Sequence, residues 1–288
     1  MKIGPISDEA FDLPEEIIEK YKIGVARFKI DLQELKNLPG NIYQKTREAE
    51  RQGIESVVKT SQPSINDFLS IFKEKLNEFE EVFCVTISSK LSGTYNSAVQ
   101  AKKFLQKEFQ DKVHVIDSLN GSAGQGLVVL KIIELAKRNL NSQEINNKIK
   151  EVIEKTKLLG MYHDPKWLKA SGRFPRFIPA IMEKAEKMSI KPVFKMENGK
   201  LSVAGVKRNI IDLSSALFEE FDKATKKARR EGKKIIIGIT HADDISQATK
   251  LKEMILSFKN TEVAFINLTC FPIGGHIGPN SLILSWQE

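Results

Sequence analysis

The sequence predicts an α/β protein of two domains. Residues 1–158 are expected to form an N-terminal Rossmann-like domain around a parallel sheet. Residues 159–288 are expected to form a C-terminal α/β (α+β) domain with some antiparallel pairing. Three observations lead there. Short apolar runs alternate with helical patterns through the first half, the pattern of a parallel sheet with crossover helices. After residue 158 the pattern changes and a hairpin signal enters. The 288 residues, 41% of them hydrophobic, suffice for one large core or two modest ones.

The elements follow in order. In "ISDEAFDLPEEIIEKY" a polar turn leads into a helix: Pro14 suits a first helical turn, and Glu15 and Glu16 suit its positive end. Residues 31–58 are polar and irregular, an excursion or a small subdomain. "TSQPSINDFLSIFKEKL" reads as a loop followed by a helix, with Ser64 as N-cap. A strand at 82–87, a helix at 96–109, a strand at 113–117 and a helix at 123–137 come next. That last helix is apolar on nearly every face, so it is buried on more than one side. Its segment 127–135 is either a wall of a ligand tunnel or ordinary core. "LGMYHD" reads as a strand, and 167–171 and 177–188 as helices. "KPVFKMENGKLSV" is a hairpin turning at Asn198-Gly199. A helix at 210–230, a strand at 235–240, a helix at 245–258, a strand at 263–268 and the strand "SLILSW" complete the chain.

Bulk properties narrow the function. No run of about 18 apolar residues occurs, so no membrane span is expected. The start lacks the apolar segment of a secretory signal. Cys84 and Cys270 sit in apolar runs and read as reduced, buried residues. A cytoplasmic location is expected. Much of the net charge of +8 lies in "KATKKARREGKK", residues 223–234. That run is either the solvated end of a helix, whose dipole favours cations, or a docking surface for an acidic partner. It lacks aromatic interleaving, so nucleic acid is not expected as a partner.

Three hydroxyl- or glycine-rich segments fall where strand ends are expected: 60–64, 88–94 and 117–126. Each leads into a helix. They cap those helices, or they use hydroxyls and helix N–H groups to hold an anion. Ser92, Gly93 and Thr94 offer hydroxyls and approachable backbone. No dinucleotide fingerprint, P-loop or nucleophile elbow occurs, and the histidines stand apart from each other and from the cysteines. Neither a cofactor nor a metal site is expected. His276, in "FPIGGHIGPNS", reads as a loop residue, either solvated or aimed into a cleft where it donates to a carboxylate.

At these residues the sequence resembles the DegV family of bacterial fatty-acid-binding proteins, nearly end to end. "ISDEAFDLPEE" is similar to the family's T-D-S-x-x-D-L-P opening, with Ser7-Asp8-Glu9 replacing Thr-Asp-Ser. "KTSQPS", "ISSKLSGTYNSA" and "VIDSLNGSAGQGL" resemble three further blocks. "WLKASGR" resembles L-x-K-G-G-R, and "GGHIGPNSL" the terminal H-x-G-P-G block, with Asn280 in place of a glycine. The resemblance implies two α/β domains holding a long-chain fatty acid such as palmitate. It implies that Thr60 and Ser92 hold the carboxylate, with His276 beside them and Arg173 matching the family's arginine. Ser61, Gly93 and Thr94 complete the candidate ligand-binding set. It further implies a carrier, not a catalyst, that delivers its acyl chain to a fatty-acid kinase. The alternative is a hydrolase or phosphotransferase using Ser92 and His276, for which the sequence shows no third group to orient the histidine.

Overall fold

A computed structural model describes residues 2–31, 35, 37–54, 60–138, 140–164, 167, 189–210 and 212–288. Strands β1 (Ile3–Asp8), β2 (Gly24–Ala26), β5 (Glu81–Thr86) and β6 (Val113–Asp117) form a sheet in the order β2-β1-β5-β6, parallel throughout. β3 (Lys29–Ile30) and β4 (Thr60–Ser61) make a small antiparallel pair of their own. The second sheet uses β7 (Lys157–Met161), β8 (Ile190–Glu197), β9 (Lys200–Arg208), β10 (Ile235–His241), β11 (Thr261–Leu268) and β12 (Leu282–Gln287). Its order is β11-β10-β12-β7-β8-β9. Only β10 and β11 run parallel in it; the other pairs are antiparallel. The chain is thus α/β in the first sheet and mixed in the second, as the sequence predicts.

The helices are α1 (Glu15–Lys20), α2 (Ile42–Arg51), α3 (Ile65–Glu78), α4 (Thr94–Lys103), α5 (Lys107–Gln110), α6 (Ser122–Ala136), α7 (Ser142–Lys155), α8 (Leu213–Arg230), α9 (Ile245–Leu256) and α10 (Phe271–Ile277). Helix α3 begins where expected. The Ser64 side chain accepts from Asp67 N, and the Asp67 side chain returns to the Ser64 backbone. Phe68 and Phe72 of α3 are fully buried against Val82, Cys84 and Ala98, and each such burial stabilises by about 1.5–3 kcal/mol. The β8–β9 turn is also as expected: Asn198 and Gly199 both have positive φ, 50° and 79°, which a two-residue hairpin loop requires.

Four expectations are corrected. The polar segment 31–58 contains helix α2, whose capping box is Asn41–Gln44. The single helix expected at 96–109 is two, because the chain turns at Phe104 and buries Leu105 in the core. Helix α7 fills a stretch with no predicted element, again behind a capping box, Asn141–Glu144. Cys270 does not lie in a strand; it is the N-cap of α10, while Cys84 is buried in β5, and both are free thiols. The helices expected at 167–171 and 177–188 lie outside the described residues, Trp167 apart. Among the described residues no helix is long and apolar enough to cross a membrane.

The core runs through both sheets. Helix α6 touches β1 and β5 of the first sheet and β10 and β12 of the second. Leu127, Val128 and Ile132 on α6 pack with Phe83 from one sheet and Phe265 from the other. Gly126 permits that approach: a Cβ there would stand 2.5 Å from the Phe11 carbonyl oxygen. The expectation that segment 127–135 is buried on several sides holds. Its side chains do not line the pocket described below, although Ile132 and Ile133 border a separate cleft beside Phe79 and Tyr21.

Candidate functional site

The site is built at the seam of the two sheets. From the first sheet come Ile87, Leu91 and Ser92 in the loop after β5, and Gly121 and Ser122 at the start of α6. From the second come Leu158 on β7, Met196 and Leu201 on the hairpin, and Ile283 on β12. Between them α10 presents Pro272, Ile273, His276 and Ile277. Together with Phe28 they line a narrow cavity of about 90 Å³, smaller than the usual ligand site of about 300–1,000 Å³. Among the described lining residues only Ser92, Ser122 and His276 have polar side chains.

Helix α10 overturns the loop expected around His276. Pro272 stands in its first turn, a position that needs no N–H donor. The two glycines serve close packing: a Cβ on Gly274 would meet the Tyr43 hydroxyl at 1.6 Å, and one on Gly275 the Phe271 ring at 2.9 Å. Only Gly278, past the helix end, has positive φ, 80°.

The hydroxyls are held by local bonds. The Ser92 N–H donates to the Ser88 carbonyl at 3.1 Å. Ser92 Oγ lies 2.8 Å from Thr94 Oγ1 and accepts from the Thr94 N–H at 3.3 Å. Thr94 is fully buried, so it orients Ser92 and does not itself face the pocket. Thr60 Oγ1 stands 3.5 Å from His276 Nε2. Thr60 gets there through the β3–β4 pair, not from the end of a main-sheet strand as its sequence context suggested. Ser61, next in β4, is exposed and does not line the pocket. Gly93 is the N-cap of α4; a Cβ on it would fall 2.3 Å from Gln62 Oε1. Gln62 in turn donates to Ser97 Oγ at 2.9 Å, tying the segment after β4 to α4. Ser92 and His276 thus line the pocket, Thr60 reaches His276 without being among the lining residues, and Gly93 and Thr94 stand behind Ser92. Arg173 lies outside the described residues.

Beneath the pocket lies a buried polar network that sequence reading took for a polar turn. Asp12 accepts from Ser122 Oγ at 2.5 Å and from the Cys270 N–H at 2.7 Å, so it joins α6 to the start of α10. Ser122 Oγ also lies 2.7 Å from Thr240 Oγ1 of β10. Asp8 accepts from the Ile87 N–H at 2.7 Å and from Gln125 Nε2 at 3.1 Å, fixing the loop that carries Ser92. Burial outweighs these hydrogen bonds and pushes the Asp12 carboxyl up to about 7 and that of Asp8 up to about 6. The signal was present in the spacing of Asp8 and Asp12 before "LP". What hid it is that these partners lie 79 to 258 residues away. Among the described residues no group of His, Cys, Asp or Glu is placed to hold a metal ion.

An apolar pocket with neutral donors at one rim suits an amphiphile with an anionic head. Fold and site thus define a two-sheet α/β protein with a ligand pocket at the seam. A family model described as "uncharacterised protein, DegV family" matches residues 2–288. The chain belongs to the DegV family. A DegV domain-containing protein of Clostridium perfringens is 30% identical over 292 residues, covering all of this chain and 99% of that one. A fatty acid-binding protein of Thermotoga maritima is 28% identical, covering 98% of this chain and 96% of its own. The solved structure of a DegV family protein from Thermus thermophilus, described by its fatty acid binding, superposes with a TM-score of 0.86. It shares 24% identity and covers both chains fully.

Proposed function

We propose that this protein binds a long-chain fatty acid and presents it to a fatty-acid kinase. The acyl chain occupies the apolar pocket. The carboxylate lies at the rim, where Ser92 and Thr60 donate hydroxyl protons and His276 stands beside them. The observation that carries this reading is that Ser92 and His276 both line an otherwise apolar space, with Thr60 at 3.5 Å from His276. Hydrogen bonds to a charged group contribute about 1.5–3 kcal/mol each, and each buried methylene about 0.8 kcal/mol. The fatty acid binding of the Thermotoga maritima and Thermus thermophilus relatives supports the same ligand. The pairing of Ser92 Oγ with Thr94 supports a carrier over a serine hydrolase, since a nucleophile would be paired with its base.

The test is extraction of lipid from the purified protein followed by mass spectrometry, together with an esterase assay. Stoichiometric C14–C18 fatty acid and no ester turnover is the expected result. Ester turnover by protein free of lipid would overturn the reading.

A further inference from the structure

We infer that Tyr43 is a positioning residue for His276. Its hydroxyl is seated in the backbone of α10 at Gly274 and fixes where the pocket face of that helix stands. The inference rests on the fatty-acid reading only for its effect on binding.

Tyr43 is 1% exposed. Its hydroxyl donates to the Thr269 carbonyl at 2.6 Å, across 226 residues of sequence. A Cβ on residue 274 would overlap that hydroxyl at 1.6 Å, so the fit depends on glycine. Residues two apart on a helix point about 200° from each other. Gly274 therefore faces Tyr43 while His276 faces the pocket, as the lining of the pocket bears out. The ring of Tyr43 also meets that of Phe271, centroids 6.4 Å apart.

Helix α2 braces this contact at both ends. Arg47 pairs with Asp243 after β10, and its other Nη reaches Asn280 Oδ1 after α10 at 3.4 Å. Asn41 Nδ2 donates to the same Asp243 at 2.7 Å. Tyr43 of α2 thus holds the start of α10 through the Thr269 carbonyl, while Thr60 of β4, just past the excursion, reaches His276. A displacement of α10 by a few tenths of an ångström would move His276 and leave Ser92 in place, because Ser92 is held from β5 and α4.

The experiment uses full-length Tyr43→Phe, which keeps the ring and removes the hydroxyl. In lipid-free protein, the imidazole resonances of His276 shift or split, while those of His114 and His163 stay fixed. Palmitate binds about tenfold more weakly to the delipidated variant. In a His276→Gln background the same change costs less than twofold, because there is no imidazole left to place. An unmoved His276 resonance overturns the inference, even if the melting temperature falls, since that outcome is loss of packing alone. Should wild type fail to bind palmitate, the fatty-acid reading fails while the lipid-free spectra still decide the role of Tyr43. Should Tyr43→Phe fail to fold, Arg47→Ala loosens the same helix from Asp243 and Asn280, and an unmoved His276 in that variant overturns the inference equally.

Discussion

Replacing Ser92 by alanine removes one donor from the proposed carboxylate and touches no core side chain. The expected cost is about 1.5–3 kcal/mol of binding, roughly ten- to a hundredfold in dissociation constant. Calorimetric titration with palmitate checks it, with thermal melting as the control for fold. Thr60→Ala should act alike. The double variant should cost less than the sum if both oxygens share one carboxylate. Asp12 calls for a different measurement. Its carboxyl sits at about 7 in the folded protein against an ordinary 3.8. Below about pH 4 it is protonated in both states and its contribution is fully present. Between about pH 4 and 7 the unfolded chain releases a proton that the native state keeps, so stability falls as pH rises, by up to about 1.4 kcal/mol per pH unit. Asp8, at about 6, acts in the same direction. Urea titrations of Asp12→Asn and wild type should diverge in the variant's favour as pH rises from about 4 to 7; a constant difference would contradict the assignment. The two residues also differ in legibility. Ser92 was readable because its donors and its helix are local. Asp12 was not, because its burial is created by β10 and α10 meeting α6.

At the scale of elements, glycine was the hardest residue to read. "GSAGQG" suggests an anion loop, yet Gly126 is there because α6 passes the Phe11 carbonyl at contact distance. Gly126→Ala forces backbone apart and should destabilise by about 1–3 kcal/mol, seen as a lower urea midpoint; an unchanged midpoint would show that α6 has slack. Gly274 and Gly275 misled in the same way, suggesting a loop where a tightly packed helix stands. Strands were legible from their apolar runs, and the β8–β9 hairpin from Asn198-Gly199. Helices α2 and α7 were missed although their capping boxes, Asn41–Gln44 and Asn141–Glu144, are plain in the sequence. Both segments are polar enough to pass for loops. The basic end of α8 is largely neutralised by ion pairs, among them Lys223–Glu220, Lys233–Glu231 and Lys234–Glu262, while Arg229 stacks on Phe258 at 3.6 Å. Lys226, Arg230 and Lys259 line a separate shallow groove. If a kinase docks there, reversing these three charges should slow its association and flatten the salt dependence, with palmitate binding intact. Unchanged kinase coupling would make the groove ordinary surface.

At the scale of the whole molecule, the pocket exists because two sheets share one helix. α6 sits between them, Asp12 and Ser122 pin its start to the second sheet, and the loop after β5 faces α10 across the gap that remains. The alternation of strands and helices announced both sheets, and two of the hydroxyl-rich blocks supply Ser92 and Ser122 to the pocket lining. The pairing of the rim with the hairpin and β12 is a tertiary fact with no local signal. The central claim is that a fatty-acid carboxylate lies among Ser92, Thr60 and His276. Carbon-13 NMR of carboxyl-labelled palmitate bound to the delipidated protein tests it most directly. One sharp bound resonance is predicted, displaced from that of free palmitate and moved again by Ser92→Ala and by Thr60→Ala. A bound resonance identical in wild type and in both variants would place the head group elsewhere and contradict the account.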